Sequence, residues 1–226
     1  MKKQLLRLFV VGCFMLSILT SKGQDFQFSS INEFQSHLSP SLTGSFNGDL
    51  KAMVLYRTQW LNLDQKFDWQ ALNFEKRLNK GGNVLFTAGM ILVNHKVGAY
   101  NRLDGMVLLS SAVQLDQNNV LSAGISAGVI NTQIDHASLT WGAQWDQSTG
   151  LYNSSLSPGE NLEYLESQLV FNDGVGLNYA YRSDDFNSFY NRGFKVEVFG
   201  SAWHLSRPKL VGFNDQRMET RITGGL

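Results

Sequence analysis

Four histidines, His37, His95, His136 and His204, have the widest chemical repertoire in this 226-residue chain. Their spacing holds no metal pattern, since no His-x-x-x-His pair occurs and no carboxylate bridges two of them. They read as loop and strand-end histidines. Asp135-His136 with Ser138 supplies the residue types of a hydrolase triad. A triad is defined by roles in three dimensions, however, and Ser138 lacks the elbow context that exposes a nucleophile. Asp184 and Asp185, with Asp173, bring carboxylates near one loop, but the alternating oxygen ligands of a calcium loop are missing, which favours a solvated loop. Gly124, Gly128, Gly174 and Gly176 stand in no strand–Gly-rich turn–helix order, so they suit a crowded inner strand face better than a phosphate cradle. The expectation is a protein with no catalytic residue, no metal and no cofactor: not an enzyme.

The elements that position these residues begin after a leader. Residues 1–23 open on Lys2, Lys3 and Arg7, continue through an apolar run from Leu8 to Leu19, and end on the small residues Ser21 and Gly23. That is the pattern of a cleavable secretory signal peptide, with an apolar stretch too short for a comfortable membrane anchor. Val10-Val11-Gly12-Cys13 loosely resembles a lipoprotein box, but cleavage there would leave only Leu8 to Val11 as apolar core. A mature start at Gln24 removes the one cysteine, and with it disulfide, thiol and cysteine–metal chemistry. It also removes four cations and no acid, leaving 15 basic against 19 acidic residues, a net charge of −4. A mildly acidic chain without a basic run is a poor nucleic-acid binder. No linker or second domain is marked, so residues 24–226 read as one β-domain.

Period-2 alternation is the dominant pattern. Leu121, Ala123, Ile125, Ala127 and Val129 form one face of a segment whose other face is Ser122, Gly124, Ser126 and Gly128. Val175, Leu177, Tyr179 and Tyr181 likewise oppose Gly176, Asn178, Ala180 and Arg182. The windows 50–60, 84–92, 103–115 and 194–198 alternate less cleanly. Turn residues separate them at Asn47-Gly48, Lys80 to Asn83, Asp116 to Asn119, Asn172-Asp-Gly174 and Asn191-Arg-Gly193. Seven or eight strands are predicted, with extended loops over 146–163 and 183–193.

Two architectures accommodate this alternation: a soluble sandwich burying its apolar faces, and a membrane barrel turning them to lipid. Aromatics near strand ends (Tyr56, Trp60, Phe67, Trp69, Tyr179, Tyr181, Trp203), small polar inner faces and the export signal favour an antiparallel transmembrane β-barrel of the outer membrane. In that frame Gly48, Asp49, Tyr56, Arg57, Gln59 and Trp60 form a hairpin start and first membrane strand. Arg57 and Gln59 would face the lumen, with Tyr56 and Trp60 near the interface. A lumenal arginine must be hydrated or paired, and Asp49 or a later acid is its expected partner. A structural role for the cluster is favoured over a docking or gating one.

Ordered motifs add a resemblance. Gln24-Asp-Phe-Gln-Phe-Ser-Ser, Leu38-Ser-Pro-Ser-Leu-Thr-Gly44, Gly48-Asp-Leu-Lys51 and Tyr56-Arg-Thr-Gln-Trp60 follow one another. The set resembles the PorP/SprF family of type IX secretion system membrane proteins of Bacteroidetes, whose members read Q-D-x-Q-F-S, N-P-A-x-x-G, G-D-x-R and Y-R-x-Q-W. Ser39, Ser41 and Lys51 depart from that pattern. Leu139 to Asp146, Asn153 to Glu160 and Phe199 to Pro208 extend the likeness over most of residues 24–210. The resemblance implies an outer-membrane β-barrel supporting secretion or surface display of cargo such as gliding adhesins. Its implied partners are periplasmic type IX secretion components, the C-terminal sorting domains of secreted cargo, and outer-membrane lipid, with no nucleic acid. The alternatives are a small-solute porin-like or plugged barrel and a periplasmic β-sandwich binding module. Family members run on for several more strands, whereas this chain stops at Arg221 to Leu226, in what reads as the opening of another strand. The expectation is therefore a C-terminally incomplete barrel, or else a degenerate paralogue.

Overall fold

The computed structural model describes residues 33–62, 66–79, 82–135, 139–159, 167–183, 193–209 and 217–226. The leader and Gln24 to Ser30, together with His136, Ser138, Asp184 and Asp185, lie outside the described residues.

Alternation produces strands in chain order: β1 (Leu50–Gln59), β2 (Phe67–Arg77), β3 (Val84–Val97), β4 (Tyr100–Gln114) and β5 (Asn119–Ile134), then the short pair β6 (Trp145–Asp146) and β7 (Leu151–Tyr152), then β8 (Gln168–Arg182), β9 (Lys195–Trp203) and β10 (Arg221–Gly225). Eight of them form one antiparallel sheet in the order β1-β2-β3-β4-β5-β8-β9-β10, while β6 and β7 make a separate hairpin inside the long β5–β8 connection. Neighbours in sequence are neighbours in space, as in an up-and-down barrel. Among the described residues, β1 and β10 are not paired with each other.

The two faces of this sheet invert the rule for soluble proteins. Val54, Phe86, Val107, Ile125, Phe171, Leu177 and Ile222 all point outward and are exposed. Their inward neighbours include Asn73, Glu75, Arg102, Asp104, Ser122, Ser126, Asn172 and Asn178, all buried. A continuous apolar outer wall of this extent needs lipid against it, and closed backbone pairing is what lets strands stand there. The architecture is an all-β, antiparallel transmembrane barrel type. Among the described residues no helix is long and apolar enough to cross a membrane.

Two expectations change. Asn172-Asp-Gly174 is not a turn but the interior of β8, paired with Gly128 to Ser126 of β5. Turn-forming residues stand there because Asn172 bonds His204 and Gly174 leaves room for the Trp203 ring, which a Cβ would meet at 2.7 Å. The second change is β2, which was not read as a strand. Its outward set Gln70, Leu72, Phe74, Lys76 and inward set Ala71, Asn73, Glu75, Arg77 each mix polar and apolar types, which blurs the period.

Candidate functional site: a plugged lumen

The sheet curls around its own N-terminal segment. Residues 33–46 hold a one-turn helix, α1 (Gln35–Leu38), and a 3-10 turn over Pro40–Leu42, with Pro40 at the first turn position where its missing N–H costs nothing. Gly44 takes φ +92°, a conformation only glycine adopts freely, and lies so close to Thr87 that a Cβ would sit 2.4 Å from its hydroxyl. The segment touches all eight strands of the sheet. Lys51 of β1 donates to the Glu33 carbonyl at 2.8 Å, Asn73 of β2 to Ser36 Oγ at 3.0 Å, and Ser110 of β4 to the Ser41 carbonyl at 3.4 Å. Gly89 of β3, Gly124 of β5 and Gly176 of β8 lie directly against Thr43, Pro40 and Ser39. Ser201 and Trp203 of β9 both donate to the Leu38 carbonyl, at 2.6 and 3.1 Å, and Arg221 of β10 to the His37 carbonyl at 3.2 Å. Contacts with both the first and the last strand show how far the sheet curls.

Packing and charge share the work of holding this plug. Phe34 enters a cluster of Ala71, Ile91, Val93, Met106, Leu108 and Trp203, flanked by Met53, Leu55 and Trp69. Burying a phenylalanine side chain contributes roughly 1.5–3 kcal/mol. Elsewhere the plug offers backbone, which the wall answers with polar side chains. Glu75, 1 % exposed, accepts the Gly44 N–H at 2.7 Å and an Asn73 N–H at 2.8 Å. Arg77 donates to the carbonyls of Gly44 and Phe46 and lies over the Phe46 ring at 5.2 Å. Glu197 is paired with Lys195 at 2.6 Å and also accepts from Asn178 at 2.9 Å and Ser45 at 3.3 Å. Away from the plug, Arg102 and Asp104 form a buried two-bond pair, both bonds 2.8 Å. Charges held away from water require such partners, because an unpaired one costs several kcal/mol.

The candidate cluster is spread along β1 rather than gathered. Gly48 and Asp49 precede the strand, where Gly48 takes φ +112° and the Asp49 carbonyl accepts the Arg77 N–H at 2.9 Å. Tyr56 is exposed, its hydroxyl 3.4 Å from Asp68. Arg57 and Gln59 lie at the far end of β1, half-buried like the inward-facing Met53 and Leu55. The Arg57 guanidinium stands 5.6 Å over the Trp69 ring, its direct cross-strand neighbour, whereas Asp49 lies beyond the opposite end of the strand. Trp60 turns the chain out of β1 with φ +58° and meets Phe67 edge-on at 4.7 Å.

The three described histidines, His37, His95 and His204, are structural in their surroundings. His37 is buried in the plug beside Trp203, and His95 meets Trp69 edge-on at 4.9 Å. His204 is buried, its Nδ1 2.7 Å from Asn172 Oδ1. Asp173 accepts the Ser206 N–H at 2.9 Å. No group of three or more His, Cys, Asp or Glu capable of holding a metal occurs among the described residues. The wall residues that grip the plug, Asn73, Glu75, Arg77 and Glu197, escaped the sequence reading. Their one signal is a polar residue on the inward phase of a strand, and that requires the strand and its phase to be known.

A family model for the type IX secretion system membrane protein PorP/SprF matches residues 20–216. No curated protein matches the chain, and no solved structure matches it.

Proposed function

The chain belongs to the PorP/SprF family of type IX secretion system membrane proteins, and from that premise we propose that it is a non-catalytic, plugged β-barrel of the outer membrane that supports secretion or surface display of cargo proteins such as gliding adhesins. Residues 1–23 serve as its cleavable export signal in this reading. Its partners are periplasmic components of the secretion machine and the C-terminal sorting domains of the cargo, with lipid around the wall. The observation that carries the proposal is the family match over residues 20–216, which spans the plug and nearly the whole sheet.

The filled lumen supports this reading over that of a small-solute porin. A porin leaves an aqueous channel inside its wall. Here residues 33–46 run through the interior and bond to opposite sides of it. A barrel plugged in this way suits an anchor or docking body, and the Gly48 to Trp60 cluster, spread along its first strand, belongs to the structure of the wall.

The deciding experiment compares the secreted and surface proteomes of a clean deletion of the gene with its parent. One or a few proteins bearing type IX sorting domains should disappear from the surface and return on complementation. An unchanged surface proteome overturns the proposal.

A further inference from the structure

The outer wall holds an open apolar hollow of about 460 Å³ across β3, β4 and β5. Its floor is Ser111 and Ala123, which stand in register with each other, with Phe86 and Leu177 as their partners on either side. Leu78, Phe86, Leu109 and Ile125, all exposed, surround that floor. Small residues among large ones thus sink the wall at one place, and the surface they leave is almost wholly apolar. In a wall turned to lipid, an acyl chain fills such a hollow. Water is absent there, and an empty hollow forfeits the dispersion contacts of its lining.

Charge beside the hollow selects the lipid. Lys76 is exposed on the outward face of β2, two residues before Leu78 and therefore on the same side of the wall. Its outward neighbours are all apolar: Leu50 and Ala88 in register, Phe74 and Leu78 along the strand. Among the described residues Lys76 makes no ion pair. Lys96, also outward-facing, lies toward the opposite end of the sheet, in register with Asp68. A lysine on a lipid-facing wall is costly at the midplane but tolerated near the interface, where its ammonium reaches the headgroups. Lys76 and the hollow lie toward the end of the sheet where β1 begins, beside the turns 78–83 and 115–118. Those turns are shorter than the connections 135–167 and 204–220 at the other end, and the short turns of outer-membrane barrels face the periplasm. The periplasmic leaflet is built of glycerophospholipids. We propose that the hollow and Lys76 together bind one anionic glycerophospholipid of that leaflet. One acyl chain lies over Ser111 and Ala123, and the Lys76 ammonium holds the headgroup phosphate. A zwitterionic headgroup carries its own cation beside the phosphate, which weakens its attraction to Lys76. The site rests on the reading of the chain as an outer-membrane barrel and is independent of which cargo the barrel serves.

The test uses the full chain purified in detergent, with bound lipid read by native mass spectrometry. Dioleoyl phosphatidylglycerol and dioleoyl phosphatidylcholine, identical in their chains, are titrated separately. The wild-type protein should bind phosphatidylglycerol about fivefold more tightly, the effect of one lysine on an anionic lipid. Lys76→Gln should bring phosphatidylglycerol down to the level of phosphatidylcholine and leave phosphatidylcholine unchanged. Ala123→Phe fills the hollow and should weaken both lipids severalfold while keeping their ratio. Ala127→Phe, further along the outward face of β5 and outside the hollow, should change neither. Three results overturn the proposal: equal binding of the two lipids by the wild-type protein, a preference that survives Lys76→Gln, or Ala123→Phe behaving like Ala127→Phe. Should a phenylalanine variant fail to fold, the wild-type protein and Lys76→Gln still decide. The readout is lipid binding by the isolated chain, so its failure is distinct from an unchanged surface proteome.

Discussion

Along β5 the same backbone carries two unlike walls: Ser122, Gly124 and Ser126 look into the lumen and are buried, whereas Leu121, Ile125 and Val129 look out and are exposed. In a soluble sheet the apolar set would be the one hidden. The contrast shows that the inner wall is selected for shape and pairing, and the outer wall for apolar area alone. Lipid accepts almost any aliphatic or aromatic side chain, because it has no fixed contour. The plug has one, and inner positions such as Glu75, Arg77, Ser110, Gly124 and Ser201 each answer a particular backbone atom of residues 33–46.

The sharpest test exchanges one residue on each wall. A Cβ on Gly124 would lie 2.3 Å from the Pro40 carbonyl group and 2.4 Å from the Ser41 nitrogen, so Gly124→Val forces the plug backbone to move. Overpacking of a fitted interior costs typically 1–3 kcal/mol, and collision with backbone places this variant at about 3 kcal/mol. Ala123→Val, one residue away on the outer wall, should change stability by no more than about 0.5 kcal/mol. Denaturant unfolding of both variants from detergent or liposomes measures the difference. Equal costs would break the distinction between the walls.

A smaller effect sharpens the comparison on β2. Glu75→Leu leaves the N–H groups of Gly44 and Asn73 without their acceptor, and should cost about 2 kcal/mol. Glu75→Gln keeps one acceptor oxygen and should recover part of the loss. Phe74→Leu, the neighbouring outward change, should stay within about 1 kcal/mol in the same unfolding assay. If Glu75→Leu proves neutral, the plug is held by Phe34 packing rather than by its polar latches.

The same contrast explains what could be read from the sequence. β5 and the second half of β8 were legible because each face carries one class of residue, apolar outward and small or polar inward. The resemblance marked residues 38–44 as a family motif but said nothing of where they lie, since their partners are spread over six strands far along the chain. The partner of Arg57 was out of reach for a related reason. Trp69 stands opposite it only through the β1–β2 register, and β2 itself has no clean alternation. Asn172 to Gly174 read as a turn because turn chemistry and a close-packed inner wall call for the same residue types.

At the rim neither wall's rule applies, and there the smallest effect is expected. The turn after β4 is tied by Asp116, whose Oδ1 accepts the backbone N–H groups of Asn118 and Asn119, each at 2.8 Å, while the Asn119 side chain donates to both of its oxygens. The Asn118 backbone bond and then the Asn119 side chain hold this carboxyl below the usual carboxylate range. A carboxyl with a depressed folded-state pKa contributes stability above its unfolded value and loses it as pH falls through the lower, folded one. Acidification should therefore loosen residues 115–119, seen as faster amide exchange once intrinsic rates are corrected, with the denaturant midpoint of the whole barrel barely moved. Asp116→Asn should show the loosened turn at neutral pH and no further response to acid through this group. A global loss on acidification that Asp116→Asn removes, as large as that of Glu75→Leu, would mean that the rim and the lumen unfold as one unit, and that the division between walls ends at the strand tips.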